Sequence, residues 1–300
     1  MINESLSTGA NGFLGNYLIQ ELIKRKHEVI ATGKGNCRIK ANDAFVYEEM
    51  DFTVAQSVKN VFSTYKPDVV VHAGAMSKPD ECEDNRELAF NVNTQGTINL
   101  LAAAKSVNSF FIFISTDFVF DGLKGMYKED DIPAPVNYYG QTKLLAEEKV
   151  KEYAGEWSIV RTVLVYGRPQ SGRENLLSLV KTKNENGEVF KIFTDQLRTP
   201  TYVENLALAI VSIIDKKAIG IFHISGADQL SPYEMVIRMA EMFGLNKELI
   251  LPITKDDLKE KALRPPLTGF DISKAKAVLN YSPISFNEGL RKTFEIKNEN

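Results

Sequence analysis

At 300 residues the chain has room for about two domains, taking roughly 150 residues for each. Apolar residues at 44% and charged residues at 25% are ordinary globular usage, which excludes a disordered chain, a collagen-like repeat and a disulfide-held miniprotein. A net charge of −3 gives no basic field for nucleic acid, and no apolar run approaches the ~20 residues of a membrane-spanning helix. Cys37 and Cys82 share no CxxC spacing, so reduced thiols are expected and no zinc motif can be built. With no signal-like N-terminus, the expectation is a soluble cytoplasmic protein.

In chain order, residues 2–7 (Ile-Asn-Glu-Ser-Leu-Ser) stand where a first strand belongs, yet they are more polar than a central buried strand should be. Residues 29–32, 69–72, 110–114 and 159–165 are near-continuous apolar runs, as a parallel sheet covered on both faces requires. Between them, residues 15–26, 56–65, 94–107 and 138–153 carry helical spacing. This alternation predicts an α/β fold, a Rossmann-type doubly wound parallel sheet. After Val165 the rhythm becomes irregular. A helix at 203–215 and a strand at 221–224 are expected to rejoin the first lobe, and Ser231-Pro232-Tyr233-Glu234 is a capping box opening a helix. The expected division is 1–166 plus 203–226 for the nucleotide lobe, and 167–202 plus 227–300 for a smaller C-terminal α/β lobe that takes the substrate.

Four clusters carry chemistry. The first, Thr8-Gly9-Ala10-Asn11-Gly12-Phe13-Leu14-Gly15, is a GxxGxxG turn opening a helix, where backbone N–H groups can approach a pyrophosphate. The second is the end of the second strand, where an acid would bind ribose hydroxyls and repel a 2′-phosphate. Gly33 stands there, followed by Lys34 and Arg38, which favours NADP(H) and leaves NAD(H) open; Asp51 is placed to accept from an adenine amino group. The third is Tyr139-Gly140-Gln141-Thr142-Lys143, on a helix introduced by Pro135. The i, i+4 pair shares a helix face, and a nearby ammonium is expected to lower the tyrosine pKa toward the working range. The fourth is Ser115-Thr116-Asp117-Phe118-Val119-Phe120-Asp121-Gly122, at the carboxyl end of the strongest strand, where open α/β sheets bind ligands. His72 is read as a satisfied core histidine.

In this order the motifs resemble the extended short-chain dehydrogenase/reductases, and within them the dTDP-4-dehydrorhamnose reductase branch. Residues 93–97 (Asn-Thr-Gln-Gly-Thr), 195–202 (Asp-Gln-Leu-Arg-Thr-Pro-Thr-Tyr) and Arg264-Pro265-Pro266 with Asp271 extend the likeness over almost the whole chain. The resemblance implies a catalytic set of Thr116, Tyr139 and Lys143, and reduction of the 4-keto group of a dTDP-linked 6-deoxyhexose with NADPH. It implies cofactor contacts from Gly9, Asn11, Gly12, Phe13, Leu14, Gly15, Lys34, Asp51, Phe52, Ala73, Gly74, Ala75, Asn93, Tyr139 and Lys143. Asp117 and Arg198 would face the nucleotide-sugar substrate. The pair Asp117-Phe118 lacks the glutamate of the sister dehydratases, and neither cysteine occupies the strand-end position of the epimerase-reductases. A non-catalytic NADP-binding regulatory subunit is the rival reading. The sequence leaves open a Mg2+ requirement and a homodimer.

Overall fold

The computed structural model describes residues 4–40, 44–170, 174–258 and 260–294. Ile2 and Asn3 of the first expected strand lie outside the described residues. The strands are β1 (Glu4–Thr8), β2 (Glu28–Gly33), β3 (Val46–Glu49), β4 (Val69–His72), β5 (Phe110–Thr116), β6 (Trp157–Thr162), β7 (Val165–Tyr166), β8 (Phe190–Phe193), β9 (Thr201–Tyr202), β10 (Gly220–Ile224) and β11 (Ile250–Ile253). The α-helices are α1 (Phe13–Lys24), α2 (Ala55–Tyr65), α3 (Pro79–Asp84), α4 (Arg86–Phe90), α5 (Gly96–Val107), α6 (Tyr138–Lys151), α7 (Leu176–Glu185), α8 (Val203–Lys216), α9 (Pro232–Phe243), α10 (Ser273–Leu279) and α11 (Phe286–Phe294).

Seven strands form one parallel sheet in the order β10-β6-β5-β4-β1-β2-β3. The chain runs outward from β1 to β3, then restarts at β4 on the other side of β1. That reversal leaves a crevice at the carboxyl ends of β1 and β4, the place where open α/β sheets bind ligands. Leu18, Ile19 and Leu22 of α1 pack with Leu206, Ile210 and Ile213 of α8 on one face of the sheet. Val58 and Phe62 of α2, Leu100 and Ala104 of α5, and Val150 of α6 cover the other. Among the described residues β8 pairs with β11 and β7 with β9. A separate core of Leu177, Val180, Met235, Val236, Met239 and Leu290 lies beneath α7, α9 and α11.

One expectation is met despite its polar sequence, and one is corrected. The polar first strand is central and buried: β1 lies between β2 and β4. Its hydroxyls are tolerated because two of them find partners. Ser5 Oγ bonds His27 Nδ1 at 2.9 Å and Thr8 Oγ1 bonds His72 Nδ1 at 2.7 Å, whereas Ser7 Oγ has no partner. The run expected as one strand at 159–165 is two. Leu164 has φ +30°, in the left-handed region, and Thr201 Oγ1 takes the Val163 carbonyl at 2.6 Å, so the ladder breaks after Thr162.

Candidate functional site

The glycine turn sits in the crevice against the loop that follows β4. Gly9 has φ +70°, and a Cβ there would lie 2.8 Å from Gly74 N and 2.9 Å from the Ala73 carbonyl carbon. Only glycine lets the two turns touch. Gly12 caps α1 with no side-chain bond and no acid in the first turn, so the positive end of that helix meets the crevice without a competing carboxylate. Gly15 is buried just inside α1, while the side chains of Phe13 and Leu14 pack toward Val203 and Ala207 of α8. Those two residues therefore offer the crevice backbone.

Asn11 staples the turn to the loop after β2. Its Nδ2 donates to Asn36 O at 3.0 Å and Tyr47 Oη at 2.9 Å, and its Oδ1 accepts from Arg38 N at 2.7 Å. Lys34 Nζ lies 2.9 Å from Asp51 Oδ2, and Asp51 Oδ1 accepts from Thr53 N and Oγ1. The two residues assigned from sequence to different parts of the adenosine end are thus an ion pair. Burial works against the Asp51 charge, but the bonds from Thr53 and Lys34 bring its pKa below the ordinary value. Phe52 packs beneath Gly74 and Gly96, with its ring edge-on to His72 at 5.1 Å. Ala73 and Ala75 are half-buried on either side of buried Gly74.

Asn93 lies in a π-helical turn, Asn91–Gln95, between α4 and α5. Such turns recur at functional sites because they re-aim one side chain. Asn93 Oδ1 accepts from Met76 N at 2.8 Å, and its Nδ2 donates to Met76 O and Thr142 Oγ1, both at 3.0 Å. Every polar atom of its side chain is committed. It ties the loop after β4 to α6.

Tyr139 stands in the first turn of α6, whose cap is Asn137, accepting from Gly140 N at 2.9 Å, rather than Pro135. Gly140 is required by contact, since a Cβ there would strike the Phe118 carbonyl. That close approach brings the tyrosine against the end of β5, where the Thr116 hydroxyl beside it works to lower the phenol's pKa. Thr116 Oγ1 also accepts from Phe118 N at 3.2 Å and lies 3.1 Å from Asp117 Oδ1. Phe118 meets the Tyr139 ring edge-on at 5.8 Å. One turn on, Lys143 is buried with Nζ 3.9 Å from the centre of the Phe113 ring. Thr116, Tyr139 and Lys143 are brought together.

The electrostatics differ from the expectation. Burial, with the Asp117 charge adding to it, pushes the Tyr139 phenol well above its ordinary value despite the Thr116 hydroxyl. Desolvation brings Lys143 down to about 7, with Glu147 opposing it. The lowered tyrosine pKa expected from the i, i+4 lysine is therefore not found: desolvation penalises phenolate and ammonium together. His72 is a core residue, hydrogen-bonded on both ring nitrogens by Thr8 and Thr97 and held well below its usual pKa by burial and Lys143.

Asp117 and Arg198 also meet, as a buried pair with Nε and Oδ2 3.8 Å apart. Arg198 donates to the carbonyls of Leu197 and Pro266 at 2.9 and 3.1 Å, and Asp117 Oδ2 accepts from Thr268 Oγ1 at 2.5 Å. The pair locks the end of β5 to the C-terminal segment. Sequence reasoning missed Glu147 and Arg161, fully buried beneath the site. A charged residue inside the apolar run at 159–165 was the available signal. It also missed the salt bridge of Arg264 to Asp80, with nitrogen–oxygen distances of 2.6–2.7 Å, that fastens the C-terminal segment to α3. Among the described residues no group of His, Cys, Asp and Glu is arranged to hold a metal ion, and no helix is long and apolar enough to cross a membrane.

Known proteins resemble this chain in sequence and fold. The chain is 30% identical over 294 residues to methionine adenosyltransferase 2 subunit beta of Pongo abelii, covering 96% of this chain and 86% of that protein. It is 33% identical over 263 residues to the spore coat polysaccharide biosynthesis protein SpsK of Bacillus subtilis, covering 87% and 86%. The crystal structure of dTDP-4-dehydrorhamnose reductase from Bacillus anthracis in complex with NADP superposes with a TM-score of 0.86 at 28% identity, over 98% of this chain and 99% of that one. The family described as RmlD substrate binding domain matches residues 4–298, and the chain belongs to it.

Proposed function

We propose that the protein is an NADPH-dependent reductase of the 4-keto group of a dTDP-4-dehydro-6-deoxyhexose. The observation that carries this reading is the buried Tyr139 phenol beside the Thr116 hydroxyl at the end of β5, with Lys143 one helical turn away and the glycine turn at the switch-point crevice. The likeness to the NADP-bound Bacillus anthracis reductase supports it. We read the chain as two lobes, 1–166 plus 203–226 for the dinucleotide and 167–202 plus 227–300 for the sugar nucleotide.

The residues fit a dinucleotide. A Cβ at Gly9 would fill the cradle, and the uncapped start of α1 suits a diphosphate. Lys34, exposed, is the cation for a 2′-phosphate once it leaves Asp51. Bound, the nicotinamide supplies the hydride. Tyr139, kept protonated by burial, delivers the proton to the keto oxygen, and Thr116 orients that oxygen by hydrogen bonding. Lys143, as an ammonium, stabilises the phenolate left behind. Hydride at carbon and proton at oxygen together complete the alcohol.

Purified protein mixed with NADPH and dTDP-4-dehydro-L-rhamnose should lose nicotinamide absorbance in proportion to sugar reduced. No loss would overturn the substrate assignment. The second reading, a non-catalytic regulatory subunit, is favoured by the 30% identity to methionine adenosyltransferase 2 subunit beta. NADPH binding without turnover of any keto-sugar nucleotide would support it.

A further inference from the structure

Arg161 has the largest fully buried side chain among the described residues, and it stands in β6, inside the sheet. A guanidinium there is costly unless its partner is fixed and its donors are satisfied. Glu147 of α6 supplies both conditions. Arg161 Nε lies 2.9 Å from Glu147 Oε1 and Nη2 2.7 Å from Oε2, a two-pronged fork. Ser115 Oγ of β5 donates to the same carboxylate at 2.6 Å, and the Phe120 ring and His223 Nε2 take the other side of the guanidinium. The carboxylate thus joins α6 to β6 and to β5 at the residue next to Thr116.

Tyr139, Lys143 and Glu147 follow at four-residue steps on one face of α6. The charged and titratable groups around Lys143 come from each packed element. They are His72 from β4, held neutral, and on α6 itself Tyr139 before and Glu147 after, while β5 offers the Phe113 ring. We propose that Glu147 is a positioning residue for the site: held by Arg161 and Ser115, it fixes the slide of α6 over β5 and β6 and sets a negative charge one helical turn from Lys143. The proposal rests on the reductase reading only for the roles of Tyr139 and Lys143.

An unfolded lysine titrates near 10.5 and Lys143 at about 7, so between these values the unfolded chain holds the extra proton and stability rises with pH. Cys82, raised by burial from 9.0 to about 11, acts in the opposite sense above 9, which leaves pH 7 to 9 as the clean window. Urea unfolding of the full chain is measured across this window and down to about one unit below it, for wild type, Glu147→Gln, Lys143→Met and the double variant. The stability deficit caused by Glu147→Gln should shrink as pH rises, by roughly several-fold in the unfolding constant, and should be independent of pH in the Lys143→Met background. A deficit with the same pH dependence in both backgrounds overturns the charge role. Glu147→Asp, which keeps the charge one methylene short of the fork, should retain the wild-type pH dependence while NADPH affinity or keto-sugar turnover falls at least about tenfold. Full affinity and turnover in that variant overturn the positioning role, and it decides the matter if Glu147→Gln does not fold. A wild-type chain that oxidises no NADPH would defeat the reductase reading, with the pH cycle still deciding for Glu147.

Discussion

Replacing Tyr139 by Phe removes one oxygen from a side chain that is only 8% exposed. The ring keeps its edge contact with Phe118, and Thr116 keeps its bonds to Phe118 N and Asp117. The structural loss is at most one hydrogen bond's worth, about 1 kcal/mol, which for a chain of this size lowers Tm by no more than about 2 °C. The chemical loss is of another order. A positioned general acid contributes about 10²- to 10⁴-fold, or roughly 3–5 kcal/mol of barrier, and no other hydroxyl in the cluster has Lys143 one helical turn away. Turnover of dTDP-4-dehydro-L-rhamnose should therefore collapse while NADPH binding, followed by nicotinamide fluorescence, changes little. Turnover within about tenfold of wild type would refute the assignment of Tyr139 as proton donor. A loss of folding or of cofactor binding comparable to the loss of rate would refute the separation of structure from chemistry.

Gly9→Ala places a Cβ 2.8 Å from the Gly74 nitrogen at a φ of +70°, so calorimetry should show a destabilisation of about 2 kcal/mol, with NADPH affinity reduced at least tenfold. Unchanged affinity would remove the glycine turn from the cofactor site. Lys34→Ala should weaken NADPH several-fold and leave NADH nearly unaffected, read by titration of both. Equal effects would mean that Lys34 serves Asp51 alone. His72 is held well below 6.5 and His223 down to about 3, both chiefly by burial. The unfolded chain therefore takes protons first as pH falls through 6.5, and the urea midpoint should decline steadily from there toward pH 3. A flat profile between pH 7 and 5 would contradict the burial of both rings.

The parallel sheet was legible because a strand covered on both faces must be apolar along its length, and four such runs alternate with helical spacing. The glycine turn, the Tyr139–Lys143 pair and the strand-end hydroxyl were legible for a similar reason. Each is a local pattern whose chemistry depends on residues close together in the chain. Polar β1 read poorly because its Ser5 and Thr8 hydroxyls are satisfied by His27 and His72, which are distant in sequence. The break after Thr162 was invisible because Thr201, also remote, takes the freed carbonyl.

Composition and periodicity by themselves determined an α/β chain built on a parallel sheet; the glycine turn came from a local motif, and the Thr116, Tyr139 and Lys143 set from a family resemblance. Only the tertiary structure decided how that trio is charged. Desolvation depends on what is packed around a group, and packing is non-local. The same i, i+4 spacing that predicts a softened tyrosine gives instead a phenol raised by burial and a lysine lowered to about 7. It likewise decided that Lys34 and Asp51 pair, that Asp117 and Arg198 bridge the site to the C-terminal segment, and that a buried Glu147–Arg161 fork lies beneath it. Each of these joins charges from different elements, and the energies of the two buried pairs, Asp117–Arg198 and Glu147–Arg161, exist only once packing has excluded water between them.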